Sequence, residues 1–201
     1  MSIVASRREQ YAQSTRRALL DAGLEAFVER GYAAVSAEEL VRAAGLTRGA
    51  LYHHFDGGKK GLFEAIFEDQ EDRAARAVVA AMTDHDDPWE RHLAGVDAFL
   101  EICSDPHYRE IVLLQGPLAL GWQRWRELDQ EYLGGLVLDA MKSLRREGLT
   151  QPHPDDLAAA ALYGAITEVA LTAARSPDPA AARAGAALLI RDLFEGIRRH
   201  R

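Results

Sequence analysis

Two short helical patterns, separated by one glycine, lie between Ser36 and Phe55 and constrain the fold more than any other segment. Ser36 and Glu39 form the S-x-x-E pattern that caps the N-terminus of a helix. Gly45 can adopt the left-handed backbone conformation that ends a helix and starts a tight turn. Thr47 is then suited to cap a second helix. The segment therefore predicts a helix-turn-helix at residues 36–55.

The second of these helices has two chemically different faces. Its apolar residues Leu46, Ala50 and Leu51 have the spacing of an inward face. The outer face is then covered by Arg48, Gly49, Tyr52, His53 and His54. A short helix that follows a glycine turn and has a polar outer face is typical of a helix that reads the DNA major groove. A helical hairpin that serves only for packing is the alternative.

The rest of the chain also has helical periodicity, with no alternating strand pattern. We therefore predict an all-α fold of about nine helices. Outside the helix-turn-helix, the predicted helices are Ser14 to Arg30, Lys60 to Met82, Trp89 to Cys103, Pro106 to Leu114, Leu118 to Glu147, Pro154 to Arg175 and Pro179 to His200. Pro117 predicts a break or kink, because proline cannot donate to the preceding turn.

Charge and composition limit the kind of partner and the compartment. The net charge of −7 argues against nucleic acid, but residues 1–60 hold nine Lys and Arg against seven Asp and Glu, a balance of +2. The acidic excess therefore lies outside the helix-turn-helix, and phosphate contact depends on the local field. One cysteine excludes an internal disulfide, and no apolar run of 18 residues occurs. We expect a soluble, cytoplasmic protein with no membrane contact.

From about Gln13 to Arg73 the sequence resembles the TetR family of bacterial transcriptional regulators. Tyr52, His54 and Phe55 match the end of the family's recognition helix, and a lysine follows after DGG. This gap is one residue longer than usual, so Lys59 takes the lysine's place with one insertion, and either Lys59 or Lys60 makes the contact. The resemblance implies a three-helix DNA-binding domain at 13–73 and a helical ligand-binding and dimerisation domain at 74–201.

The resemblance also implies roles for individual residues. Ser36 and Ala37 would offer backbone amides to phosphate, and Arg48 would contact a base edge. Thr47 and Gly49 would lie close enough to the DNA to contact phosphate or to allow close approach. Tyr52 would contact sugar, thymine methyl or phosphate, and His54 and Lys59 would contact phosphate. His53 is as readily solvated as bound. The implied function is a homodimeric regulator, most simply a repressor, that a small molecule releases from a palindromic double-stranded operator without any cofactor.

The last two predicted helices, Pro154 to Arg175 and Pro179 to His200, are rich in alanine and leucine. Ala158, Ala161 and Gly164 permit close helix approach, so a dimer that pairs these helices as a four-helix bundle is plausible. Burial of the same stripes within one subunit is the alternative. The two-fold symmetry of palindromic half-sites favours the dimer.

A small-molecule site is predicted from aromatic and polar residues of the C-terminal two thirds. Ile111 to Gly135 contains a Gly-Pro-x-x-x-Gly-Trp-x-x-Trp-Arg stretch that is found in one branch of the family. The candidate pocket residues are Phe99, Cys103, His107, Gln115, Trp122, Trp125, Tyr132, Tyr163 and Glu168. A core needs the same aromatic residues, so pocket and core are equally good interpretations of each of them.

Enzymatic and metal-binding interpretations have little support in the sequence. His85 and His92 lie near Asp84, Asp86 and Asp87, but a solvated acidic loop explains this segment better than a metal site. No phosphate-binding glycine loop or nucleophile elbow occurs. A helical enzyme, or a partner-binding module that kept the fold, remains the alternative to a DNA-binding regulator. Turnover of a ligand in the aromatic chamber, without specific DNA binding, would favour the enzyme.

Overall fold

The computed structural model describes residues 7–199, which form eleven α-helices and two π-helical segments. The N-terminal helices are α1 (Arg7–Arg30), α2 (Ala37–Ala43), α3 (Arg48–His54) and α4 (Lys59–Met82). They are followed by α5 (Pro88–Ile102), α6 (Pro106–Tyr108), the first π-helical segment (Arg109–Gln115), α7 (Gly116–Leu120), α8 (Trp122–Asp129), the second π-helical segment (Gln130–Gly134), α9 (Gly135–Arg146), α10 (Asp155–Ala174) and α11 (Pro179–Ile197).

Counted as unbroken helical stretches, these elements number nine in the described part of the chain, because residues 106–120 and 122–146 are each continuous. The prediction of an all-α fold with about nine helices is confirmed. One antiparallel β-bridge, between Thr150 and Arg198, joins the α9–α10 connection to the end of α11.

Helices α1, α2 and α3 form a three-helix bundle at the N-terminus. Leu19, Phe27, Leu40 and Leu51 are each fully buried at its centre. The capping box forms as the sequence predicts, with the Glu39 backbone N–H donating to Ser36 Oγ at 3.2 Å. Local residue types therefore set both ends of α2 and the start of α3.

Helix α4 connects this bundle to the C-terminal helices. Its first half contributes Leu62, Phe63, Ile66 and Phe67 to the common core, and α1 approaches it closely at Gly23. A Cβ at that glycine would lie 2.8 Å from Ile66 Cδ1. The second half of α4 packs against α5 and carries a different kind of residue, including the buried carboxylate of Glu71.

The break predicted at Pro117 is at Gly121 instead. The helix continues through Pro117, because the π-helical turn just before it widens the backbone where the proline ring would otherwise clash. Gly121 has φ 88°, a conformation that side-chain-bearing residues rarely adopt, and it ends α7. The predicted helix from Leu118 to Glu147 is therefore divided, with α8 starting at Trp122.

Helices α10 and α11 leave an apolar face uncovered in the single chain. Leu157, Leu188, Leu189 and Leu193 are exposed along it, with Leu188 at 68% exposure. By length and composition alone, α10 could also cross a membrane. That test is weak for a single helix, since the core helices of soluble proteins pass it as well. The exposed leucines therefore form an apolar helical surface on α10 and α11 that no other part of the described chain covers.

Candidate DNA interface and ligand cavity

Helix α3 presents a polar surface and is anchored by one buried side chain. Thr47 caps it by accepting a hydrogen bond from the Ala50 backbone N–H at 3.3 Å. Leu51 is completely buried beneath it, while Arg48, Tyr52 and His53 are exposed. The inward and outward faces therefore lie as the helical spacing indicated.

Arg48 is held in place by neighbours on both sides. Its Nη1 lies 2.7 Å from Glu38 Oε1, and its guanidinium carbon lies 5.6 Å from the centre of the Tyr52 ring. Hydrogen bonding with Tyr52, and then the charge of Glu38, raise the pKa of Arg48, so it is cationic at any physiological pH. Exposed ion pairs are weak, so the guanidinium can exchange Glu38 for a base or a phosphate at little cost.

The position of Tyr52 depends on the glycine pair that follows α3. A Cβ on Gly58 would lie 2.7 Å from Tyr52 Cε1, and Gly58 also has φ 62°. The tyrosine ring therefore lies directly on the glycine backbone, with half of its surface exposed. The DGG stretch is thus the support that sets the direction of this side chain.

His54 is less exposed than His53 and is electrostatically different. Desolvation, followed by the nearby His53 and Arg16, lowers the pKa of His54 below its ordinary value. The imidazole is therefore neutral near pH 7 and could meet a phosphate as an N–H donor, not as a cation. Arg16, which packs over the Phe55 ring at 5.1 Å, is an exposed cation on α1 close to this histidine, and the sequence pattern did not indicate it.

The structure gives the two lysines at the start of α4 different environments. Lys59 Nζ donates to the backbone carbonyl oxygens of Tyr32 at 2.9 Å and Val35 at 2.8 Å, and it lies 4.1 Å from the centre of the Tyr32 ring. Lys59 therefore ties α4 to the turn between α1 and α2. Lys60 is exposed and has no ion pair or hydrogen bond in the described part of the chain.

The expected phosphate-binding amide of Ser36 is already occupied. Its backbone N–H and its hydroxyl both donate to Glu39 Oε2 at 2.8 Å. Arg30 first, and then Ser36, hold the pKa of Glu39 down at about 2. Of the two residues expected at this position, Ala37 therefore keeps a backbone amide that the capping box does not use.

The C-terminal helices enclose a narrow apolar cavity of about 60 Å³. Two of the candidate pocket residues, Phe99 and Tyr163, line it. The remaining lining residues are Val78, Met82, His92, Gly95, Val96, Leu133, Leu136, Val137, Ala140, Ile166 and Phe194. The cavity is smaller than an ordinary ligand site, so a bound molecule requires the surrounding helices to move apart.

Other candidate pocket residues lie elsewhere. Cys103, His107 and Glu168 border three separate surface depressions, and Trp122 is 63% exposed on α8. Tyr132 is half-buried in the second π-helical segment and does not line the cavity, although its neighbour Leu133 does.

Trp125 is a core residue and not a pocket residue. It is fully buried, and its Nε1 donates to the backbone carbonyl of Val112 at 2.9 Å. A Cβ on Gly116 would lie 2.7 Å from the indole, so the Gly-Pro pair leaves the space in which this ring packs. This packing accounts for Gly116 and Trp125 of the Gly-Pro-x-x-x-Gly-Trp-x-x-Trp-Arg stretch.

Gln115 joins the C-terminal helices to the DNA-binding bundle. Its Nε2 donates to the Phe27 carbonyl at 2.9 Å, and its Oε1 accepts from the Tyr32 backbone N–H at 2.8 Å. Both partners lie at the C-terminal end of α1 and in the turn that leads to α2. Gln115, which was expected in a ligand pocket, instead clamps the end of the first π-helical segment to the helix-turn-helix bundle.

An exposed, polar recognition helix belongs to a three-helix bundle, and one long helix joins this bundle to a larger helical domain. This arrangement defines a helix-turn-helix DNA-binding regulator. Residues 19–66 match the family of bacterial regulatory proteins named for TetR, and residues 89–197 match a tetracyclin repressor-like C-terminal domain. The chain therefore belongs to the TetR family of transcriptional regulators.

Individual relatives agree with this assignment. The transposon Tn10 TetC protein of Escherichia coli is 27% identical over 166 residues, 83% of each chain. The regulator AcrR of Shigella flexneri is 43% identical over 65 residues, which are 32% of this chain and 30% of AcrR. A TetR-family regulator from Pectobacterium atrosepticum has a crystal structure that matches 98% of this chain and 99% of its own, at 30% identity and a TM-score of 0.82. AcrR and the Pectobacterium atrosepticum protein are both named as transcriptional regulators.

Proposed function

We propose that the protein is a homodimeric transcriptional repressor that a small-molecule effector releases from a palindromic operator. The observation that carries the proposal is the exposed surface of α3, where Arg48, Tyr52 and His53 project from a helix fixed by the buried Leu51. Arg48 would make a bidentate contact with guanine, and Tyr52 would make a sugar, phosphate or thymine-methyl contact. As a TetR-family regulator, the protein would act in the bacterial cytoplasm.

The phosphate contacts surround this base-reading surface. Thr47 and Gly49 lie at the exposed start of α3, and the amide of Ala37 is free of the capping box. We assign the lysine contact to Lys60, because the amine of Lys59 is already held by two backbone carbonyls. Phosphate contacts of this kind position the recognition helix without reading sequence.

The apolar face of α10 and α11 supports the dimer. Four exposed leucines lie on this face, while Gly164 and Gly185 leave open space where a partner helix could approach. Two copies that pair these helices would form a four-helix bundle and bury the leucines. The dimer would hold two recognition helices for the two halves of a palindrome.

Release of the operator follows from the way the cavity is joined to the DNA-binding bundle. The cavity is narrow in this structure, so an effector that fills it favours a conformation in which the helices are further apart. Helix α4 contributes Val78 and Met82 to the cavity, and its other end begins directly after α3. A tilt of α4, with a shift at Gln115, would change the separation of the two recognition helices and lower the operator affinity.

Fluorescence anisotropy with the DNA upstream of the protein's own gene tests the reading surface. Arg48→Ala should weaken specific binding about tenfold or more, as expected for the loss of one bidentate base contact. Arg76→Ala removes an exposed arginine from the distant half of α4 and should leave binding unchanged. Equal affinities for the wild type and Arg48→Ala would contradict the proposed reading surface.

Sedimentation of the purified protein tests the dimer. Leu188→Glu places a charge on the apolar α10–α11 face and should shift the protein towards monomer. Leu118→Glu makes the same change at a leucine that is 86% exposed on α7, away from that face, and should remain dimeric. A Leu188→Glu protein that sediments as the wild type does would contradict this interface.

A further inference from the structure

Five ionisable side chains meet in the core of the C-terminal domain, next to the apolar cavity. This core polar cluster consists of Glu71, Cys103, Tyr108, Asp129 and Tyr163, which come from α4, the end of α5, α6, α8 and α10 and are all buried. Buried ionisable groups in a helical core need partners, because their desolvation is costly. The five side chains of this cluster differ in the hydrogen-bond and ion-pair partners that each of them has.

Of the two carboxylates in the cluster, Glu71 is the one without a cationic partner in the described part of the chain. Its only hydrogen bond comes from the Tyr108 hydroxyl to Oε1 at 3.4 Å, which is long, and Oε2 has no hydrogen-bond partner in the described part of the chain. Asp129, in contrast, lies 3.1 Å from Arg126 Nη1. A fully buried carboxylate with an unpartnered oxygen requires an explanation beyond stability.

Both π-helical segments begin at this cluster. Tyr108 directly precedes the first segment, and Asp129 directly precedes the second. The wide π-helical turns change the backbone hydrogen bonding, and the carbonyl of Asp129 accepts a hydrogen bond from the Tyr163 hydroxyl at 2.8 Å. Single π-helical turns within α-helices occur preferentially at functional sites. Two of them at one buried cluster point to a binding role.

The cluster adjoins the apolar cavity, although Glu71 itself does not line it. Tyr163 belongs to both, and Phe99, which lines the cavity, packs edge-on against Tyr108 with ring centres 6.1 Å apart. Val78 and Leu133 also line the cavity, two helical turns after Glu71 and one turn after Asp129 on their own helices. An apolar body in the cavity would therefore have a polar end beside an unpaired carboxylate and two tyrosines.

We propose that the effector of this protein is an apolar molecule with a protonated amine, and that Glu71 is its counter-ion. The inference rests on the proposed function, since it identifies the chemical class of the molecule that occupies the cavity. The carboxylate would accept a charge-assisted hydrogen bond from the amine. Phe99, Tyr108 and Tyr163 would surround the cation with aromatic rings, which attract cations through their faces.

The empty and occupied states of Glu71 then differ in protonation. Burial, and secondarily the charge of Asp129, raise the pKa of Glu71 well above its ordinary value, so the empty site avoids an unpaired buried charge by holding a proton. When an amine binds, Glu71 releases this proton to solvent and the ligand's positive charge replaces it. A neutral ligand would leave Glu71 protonated.

Titration calorimetry with matched probes tests the inference without knowledge of the natural effector. Benzylamine and phenethylamine, both protonated at neutral pH, are compared with benzyl alcohol and phenethyl alcohol. We expect the wild-type protein to bind each amine about tenfold more tightly than the alcohol of the same length, because a charge-assisted hydrogen bond replaces the neutral one that an alcohol can make with Glu71. The variant E71Q should lose this preference, whereas E90Q, which neutralises an exposed carboxylate at the start of α5, should keep it.

The wild-type comparison needs no substitution, so misfolding of a variant cannot hide the result. Amines that do not bind, alcohols that bind as tightly as amines, or an amine preference that persists in a folded E71Q protein would each overturn the proposal. Operator affinity is measured separately by anisotropy. Amine binding through Glu71 that leaves operator affinity unchanged would support the amine site and contradict ligand-controlled release.

Discussion

The Gln115 side chain is the contact through which we expect the C-terminal helices to act on the DNA-binding bundle. Its amide makes two hydrogen bonds with main-chain groups, the carbonyl of Phe27 and the N–H of Tyr32. Gln115→Leu keeps a side chain of similar size and removes both. Phe27 O still accepts from the Gly31 N–H at 2.9 Å, so only the Tyr32 N–H loses its partner.

The expected loss of stability in Gln115→Leu follows from the number of hydrogen bonds that the substitution removes. Two net hydrogen bonds contribute about 0.5–1.5 kcal/mol each, and an orphaned, partly buried N–H adds to the loss. Because Gln115 and Tyr32 are both only partly buried, water can replace some of the interaction. We therefore expect Gln115→Leu to lower the free energy of unfolding by about 1–2 kcal/mol.

Two measurements report the loss of the Gln115 hydrogen bonds, one for the whole protein and one for a single amide. Urea unfolding gives the loss of stability, and amide hydrogen exchange gives the protection of the Tyr32 N–H, which should fall in Gln115→Leu. A third measurement, operator affinity with and without benzylamine, should show a smaller effect of the amine than in the wild type. Gln123→Leu is the matched control, because Gln123 donates only to Glu127 on the exposed surface of α8 at 3.1 Å.

Two results would refute this reasoning. Gln115→Leu could unfold at the same urea concentration as Gln123→Leu and keep the wild-type protection of the Tyr32 amide. The clamp would then contribute nothing to the position of the bundle. Alternatively, a weakened clamp with an unchanged effect of benzylamine on operator affinity would show that the signal passes through α4 alone.

Three further predictions concern the DNA-binding bundle. Lys60→Ala should reduce the slope of log operator affinity against log salt by about 1, as for one lost phosphate contact, which anisotropy over a salt series measures. Lys59→Ala should mainly lower the melting temperature, which thermal unfolding measures. Gly58→Ala should lose more operator affinity in anisotropy titrations than Gly57→Ala: both glycines have positive φ, 62° and 77°, but only a Gly58 Cβ would displace the recognition-helix tyrosine. Glu39→Gln should flatten the fall in unfolding free energy between pH 4.5 and about 2. The pKa of Glu39 is depressed in the folded state, so the stabilisation from its carboxylate is lost as the pH falls through that range. Urea unfolding at a series of pH values measures the change.

The helix-turn-helix could be predicted because its determinants are local. Ser36 and Glu39 are one helical turn apart, and the glycine at position 45 has φ 66° in the turn that follows. Thr47 caps α3 through a hydrogen bond to a residue three positions later. Interactions of this range are fixed by residue type and spacing, so a single sequence is sufficient to place them.

The contacts of Lys59 and Gln115 could not be predicted in the same way. Lys59 bonds carbonyls 27 and 24 residues earlier in the chain, and the partners of Gln115 are 88 and 83 residues away. These partners are main-chain groups at the end of α1 and in the turn that follows it, so no residue type indicates them. The predicted helices Lys60 to Met82 and Pro106 to Leu114 each stopped one residue short of these two residues, and periodicity could not show what either side chain meets.

The same limitation applies to the segment that joins the cavity to the bundle. A π-helical turn shifts the helical period, so residues after it face a different direction from the one that a 3.6-residue repeat predicts. The first π-helical segment has Tyr108 directly before it, bonded to Glu71, and ends in Gln115, bonded to the bundle. A change in the polar cluster at one end must therefore either shift Gln115 at the other or be absorbed within seven residues of widened helix. The exchange protection of the Tyr32 amide, with the cavity filled and empty, distinguishes these two responses.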